Sequence, residues 1–150
     1  MKLTYGEKLG IPVSDAFKQL INDEVGEHQI SDDVTAITLN YSDSLYSTED
    51  GGFHPIELRF EKKGDCWYLS YLTDFSYAGL YSELEKEVDF DVIHGVAFIR
   101  FMGEVPLSRP DVQDFFNTYQ ANFISYVEME AYDDVKLTVD WNQVPDRDKK

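Results

Sequence analysis

Phe17, Leu20, Ile21 and Val25 recur at roughly helical spacing behind Pro12-Val13-Ser14, which predicts a first helix. Ser14 is its natural N-cap, Asp15 suits the positive end of the helix dipole, and Gly26 ends it. Val34–Tyr41 then reads as a strand that is largely apolar on both sides, followed by a polar loop punctuated by Gly51-Gly52 and Pro55. Ile56, Leu58 and Phe60 alternate with Glu57, Arg59 and Glu61, and Lys62-Lys63-Gly64-Asp65 turns that strand into CWYLSYLTDFSY, which Gly79 closes. Glu83–Val92 alternates again, and the short apolar run VAFIRFM between Gly95 and Gly103 is a further strand.

Ser108-Arg-Pro-Asp111 has the form of a capping box, with Pro110 in the first turn where its missing N–H costs nothing. Val112, Phe115, Phe116, Tyr119, Phe123, Tyr126 and Val127 then mark a second helix reaching about Met129. KLTVDW is a closing strand with Leu137, Val139 and Trp141 inward, and VPDRDKK is a polar tail. This order implies one α+β domain over residues 1–150. Its centre is a twisted antiparallel β-sheet of about five to seven strands, with the N-terminal and C-terminal-half helices packed on one face.

Charge changes the picture more than any motif does. The chain carries 29 acids against 13 bases, a net charge of −16, yet its 10 Phe and 10 Tyr are too many core-formers for a disordered acidic chain. The acidity therefore lies on a folded surface. It disfavours direct nucleic-acid binding, which needs a Lys/Arg footprint, and anionic membrane surfaces for the same reason. A basic protein surface, or divalent cations held loosely, are the partners it permits, and self-association into a homo-oligomer is a further expectation.

The acids concentrate in YSELEKEVDFDV, where alternation puts Glu83, Glu85, Glu87, Asp89 and Asp91 on one side and Leu84, Lys86, Val88, Phe90 and Val92 on the other. Alternate residues lie about 6.7 Å apart on a strand, so four neighbouring pairs repel by about 2 kcal/mol in all, which a fold tolerates. One reading is a solvated face with cross-strand partners such as Arg59 or Lys62; the other is a protein-binding surface formed by those five acids. A DNA mimic that blocks a nuclease or restriction enzyme is the alternative, because the regular carboxylate spacing is about twice the 3.4 Å rise per phosphate.

Chemistry-bearing motifs are absent. Acid pairs at Asp32-Asp33, Glu49-Asp50 and Asp133-Asp134 lack calcium-loop spacing, and His28, His54 and His94 stand far apart, so no metal or other cofactor is expected. Cys66 excludes an internal disulfide and reads as a small buried hydrophobe; an enzyme cleft near Cys66 and His94 has no motif behind it. No catalytic residue is assigned. Along CWYLSYLTDFSY, Trp67, Tyr68, Tyr71, Phe75 and Tyr77 fall on both faces, so one set is available as a contact surface. The expectation is a non-enzymatic, cytoplasmic binding protein.

GIPVSDAF, YLTDFSYAG and EVDFDVIHG together resemble a small bacterial family of unknown function often carried on mobile genomic islands, domain-of-unknown-function family 2787. That family is similar in fold to the mitochondrial acidic matrix proteins, whose best-known member also binds the globular heads of a complement component. The resemblance implies a strongly twisted antiparallel sheet with terminal helices and an acidic binding scaffold, and it supplies no catalytic residue. The closing strand KLTVDW departs from the matrix proteins, which finish on helices that help hold a ring together.

Overall fold

The Ser14 hydroxyl accepts a hydrogen bond from the Phe17 amide at 3.1 Å and starts helix α1 (Asp15–Gly26), which buries Phe17, Ile21 and Val25. The computed structural model describes residues 1–77 and 83–141; the expected strand end at Gly79 and the polar tail lie outside them. After α1 come β1 (Val34–Ser42), β2 (Ile56–Lys63), β3 (Cys66–Ser76), β4 (Glu85–Asp91), β5 (Val96–Ile99) and β6 (Gly103–Pro106), then α2 (Pro110–Glu128) and β7 (Asp134–Trp141). All pair antiparallel in one sheet of order β6-β5-β4-β3-β2-β1-β7.

Six strands are therefore a meander, and the seventh returns to the opposite edge. The return is a matter of length. Seven strands at about 4.8 Å span about 29 Å from first to last. A helix of 19 residues is about 28 Å long, so α2 reaches across the sheet and delivers β7 beside β1. Its stripe of Val112, Phe116 and Phe123 buries against Ile37, Leu39, Leu58, Phe60, Leu72 and Phe90 from the sheet and against α1. Buried Gln120 locks the two helices: its Oε1 accepts from the Ser14 amide at 3.0 Å and its Nε2 donates to the Pro12 carbonyl at 2.7 Å. Both helices lie on one face of the sheet, and no helix among the described residues covers the other, here called the uncovered face.

Local chemistry explains most boundaries. Gly64 sits at φ 63° in the two-residue turn between β2 and β3, a conformation that glycine adopts without steric cost. The run VAFIRFM is not one strand. It ends at Ile99, turns through Arg100–Met102, and re-enters the sheet as β6, with the Arg100 guanidinium beside Glu85 and Glu87. Phe101 at the tip takes φ 70° and is 95% exposed. The N-cap of α2 is Arg109, not Ser108, and its side chain makes no cap bond. Asp111 instead pairs with Arg109 at 2.7 Å, which holds its carboxyl below the usual range. Leu137 and Val139 pack against the core as expected, whereas Trp141 is about half exposed and donates to Asp33 at 2.9 Å.

Tyr41 is fully buried against Phe123 and Tyr132, yet its hydroxyl has no hydrogen-bond partner among the described residues. Burial drives that phenol well above its ordinary pKa. An orphaned buried hydroxyl carries its desolvation cost uncompensated. Tyr41→Phe is therefore expected to be neutral or to stabilise by about 1 kcal/mol in urea unfolding, the reverse of the usual sign for a core substitution. No helix among the described residues is long and apolar enough to cross a membrane.

Candidate functional site

The five expected site residues do not share a face. Asp74 opposes Val88 and Phe75 opposes Lys86, so Glu87 is an extra residue in β4. A bulge of this kind shifts alternation by one position. Beyond it Val88 and Phe90 point to the helices, and Asp89 and Asp91 to the uncovered face beside Thr73 and Tyr71. Glu87 accepts from the Ser76 hydroxyl at 2.7 Å, and the Arg100 guanidinium lies 3.3 Å from Glu85 and 4.0 Å from Glu87. Asp89 is itself buried, bonded to Thr73 at 2.8 Å and to Lys86 at 3.2 Å. Asp91 binds the amide and ring of His94. Glu83 and Leu84 are exposed ahead of β4, Leu84 against expectation. Neither Arg59 nor Lys62 partners this strand: Arg59 bridges Glu61 and Asp140 instead. The five acids therefore form no regular carboxylate ladder along one face.

What the uncovered face does form is an acidic hollow of about 360 Å³ lined by Glu85, Asp89, Asp91 and Glu104 and by one cation, Lys86, which pairs with Asp89, while Glu85 pairs with Arg100. Its base includes Val96 and Phe98, which oppose Asp91 and Asp89 across β5. Glu104 on the edge strand β6 is exposed and has no ion-pair partner among the described residues. Apolar base and acidic wall are the two halves of a site for a basic side chain, whose alkyl stem and charged head need different surroundings. Tyr68, Tyr71 and Phe75 continue the same face as a half-buried stripe, with the Tyr71 hydroxyl donating to Glu57 at 2.5 Å.

A second cavity lies on the helix side, about 420 Å³ in volume, between α2 and the loop joining β1 to β2. Phe53, Phe115, Tyr119, Phe123, Tyr126 and Tyr132 wall it. Asp74 lines it from mid-β3 with a side chain only 7% exposed. One carboxylate oxygen accepts from the Tyr119 hydroxyl at 2.8 Å and the other lies 2.8 Å from His54 Nδ1. The Asp74 hydrogen bond raises the His54 pKa against the opposing effect of burial. Burial, then the Asp74 charge, raises that of Tyr119. Motif reading missed this cluster because His54, Asp74 and Tyr119 lie 20 and 45 positions apart. The signal was a lone acid inside the otherwise apolar and hydroxylic YLTDFSY, since a buried carboxylate requires partners.

Cys66 is half-buried where β3 begins, opposite Lys63, and no hydrogen bond joins it to His94 among the described residues. No group of three or more His, Cys, Asp or Glu among those residues is placed to hold a metal ion.

No curated protein matches the chain. Among solved structures it is similar to a hypothetical protein of the VSP-II pathogenicity island of Vibrio cholerae, at 31% identity and TM-score 0.86 over 93% of this chain and 100% of that one. It is likewise similar to a conserved hypothetical protein of the V. cholerae pathogenicity island VPI-2, at 36% identity and TM-score 0.76 over 87% of this chain and 97% of that one. The second is described as sharing structural homology with the human P32 protein. A family model for proteins of unknown function matches residues 15–138, a span that begins with α1 and reaches into β7. With that match and these two relatives, the chain belongs to the DUF2787 family of unknown function.

Proposed function

We propose that this is a non-enzymatic acidic binding protein whose partner is a basic protein surface, met at the hollow on the uncovered sheet face. The carrying observation is the arrangement of Glu85, Asp89, Asp91 and Glu104 around Val96 and Phe98. Net charge −16 favours encounter with a basic partner at long range, and the hollow supplies a place where charge and apolar surface coincide. The homology to P32 described for the VPI-2 relative is an analogy at the level of fold and agrees with a scaffold role. Glu83 stands exposed at the entry to β4; Glu87, which accepts from Ser76, does not line the hollow.

The test is capture from the source cell at moderate salt, followed by purification of each captured protein and titration against wild type and an Asp91→Asn, Glu104→Gln variant. Each exposed charge pair contributes up to about 1 kcal/mol, so losing two should weaken a true partner about tenfold. Equal affinity for both proteins would contradict the assignment.

A further inference from the structure

We propose that the aromatic cavity on the helix side is a ligand site for an organic cation, an alkylated ammonium or guanidinium group, seated against the rings of Tyr119, Tyr126 and Tyr132 and over the Asp74 carboxylate. It lies on the opposite face of the sheet from the hollow, because Asp74 pairs with core-facing Val88 while Asp89 and Asp91 point the other way. The inference is therefore independent of the basic-partner reading.

Three observations select this chemistry. Six of the twelve lining residues are Phe or Tyr, beside Thr118 and Asn122, and ring faces attract cations most strongly where water is excluded. Among the described residues neither Lys nor Arg lines the cavity, so His54 is the only basic group among them there, set against the buried Asp74. The field is negative beyond that pair: Glu87 acts on both His54 and Tyr119, and Asp43 acts on Tyr132. An anion would meet these carboxylates with one imidazole to offset them. A cation meets them with rings on the remaining sides, in a volume that matches a small ligand.

His54 makes the site sensitive to pH. The imidazole faces Asp74 from β3, the Glu87 charge from β4 and the Tyr46 ring from its own loop, while α2 contributes Tyr119 through Asp74. A proton on His54 and a bound cation compete for the same carboxylate. Affinity should therefore rise with pH by up to about tenfold per unit below the His54 pKa and level off above it.

The experiment is an NMR titration of the full chain with choline and with its neutral isostere 3,3-dimethylbutan-1-ol, following the aromatic resonances of the cavity. The expected result is saturable binding in which choline is favoured at least about tenfold over the isostere. Asp74→Asn should abolish that preference, and Tyr126→Leu should weaken choline binding while the core methyl spectrum stays that of wild type. A peptide carrying trimethyllysine separates the sources: tighter binding than choline assigns the cation to a protein side chain, and equal or weaker binding assigns it to a free small molecule. Equal affinity of wild type for choline and the isostere, or no saturable shift with either, would overturn the proposal. Should Asp74→Asn not fold, the isostere comparison on wild type and Tyr126→Leu still decide.

Discussion

Phe90→Ala is expected to cost about 3–5 kcal/mol of folding stability, a large share of the roughly 5–15 kcal/mol typical of a domain. Phe90 is fully buried where β4 meets α2, with ring centroids 5.1 Å from Phe116, 5.7 Å from Tyr119 and 5.9 Å from Phe115. Its strand neighbours Leu72 and Ala97 are buried as well, so truncation leaves a void that fixed backbone on both sides cannot close. Edge-to-face packing adds a loss beyond the buried area. Phe98, one position along β5 from Ala97, is only half-buried on the uncovered face, and its change to Ala should cost about 1 kcal/mol or less. Urea unfolding of the two variants checks both numbers. Equal losses would mean that the bulge at Glu87 does not set the faces of β4 as described.

Asp74→Ala should cost about 2–3 kcal/mol, through a different mechanism. It removes the acceptor of the Tyr119 hydroxyl and the partner of His54, and it deletes volume beneath the cavity. The imidazole is 40% exposed and recovers some hydration, so the buried phenol bears most of the loss. The pH dependence has a definite sign. The folded-state pKa of His54 is raised above its ordinary value near 6.5, so its contribution to stability is complete below that value and is lost as pH rises through the raised one. The gap between wild type and Asp74→Ala should shrink over the same interval. NMR titration of the imidazole in the variant should return its pKa toward the ordinary value.

Features set by one residue and its immediate neighbours were legible in the sequence. Ser14 caps α1, Gly64 turns β2 into β3, the aromatic stripe from Val112 to Phe123 builds α2, and KLTVDW (136–141) lies in the strand that closes the sheet. The sidedness of the acidic strand was not, because alternation assumes one residue opposite one partner, and the extra residue at Glu87 breaks that assumption. VAFIRFM concealed a hairpin because its turn uses Phe101 at positive φ, a residue type that seldom marks one. Arg109 displaced Ser108 at the start of α2, where its side chain makes no cap bond and pairs with Asp111 instead.

The candidate sites follow the same division. Asp89 and Asp91 are in the hollow because β4 is a strand, but Glu104 joins them only through the β5–β6 hairpin that the apolar run concealed. The cluster of His54, Asp74 and Tyr119 depends on the loop before β2, mid-β3 and α2 meeting in space, which no spacing rule encodes.

The most direct test of the hollow is calorimetric titration with a lysine-rich peptide of two variants that each lose three negative charges. One carries Glu85→Gln, Asp91→Asn and Glu104→Gln in the hollow; the other carries Glu27→Gln, Glu128→Gln and Glu130→Gln at exposed helix ends. A localised site predicts about tenfold or greater weakening for the first and no more than about twofold for the second, at moderate salt where long-range attraction is screened. Equal weakening of both would show that total charge, and not the hollow, holds the basic partner.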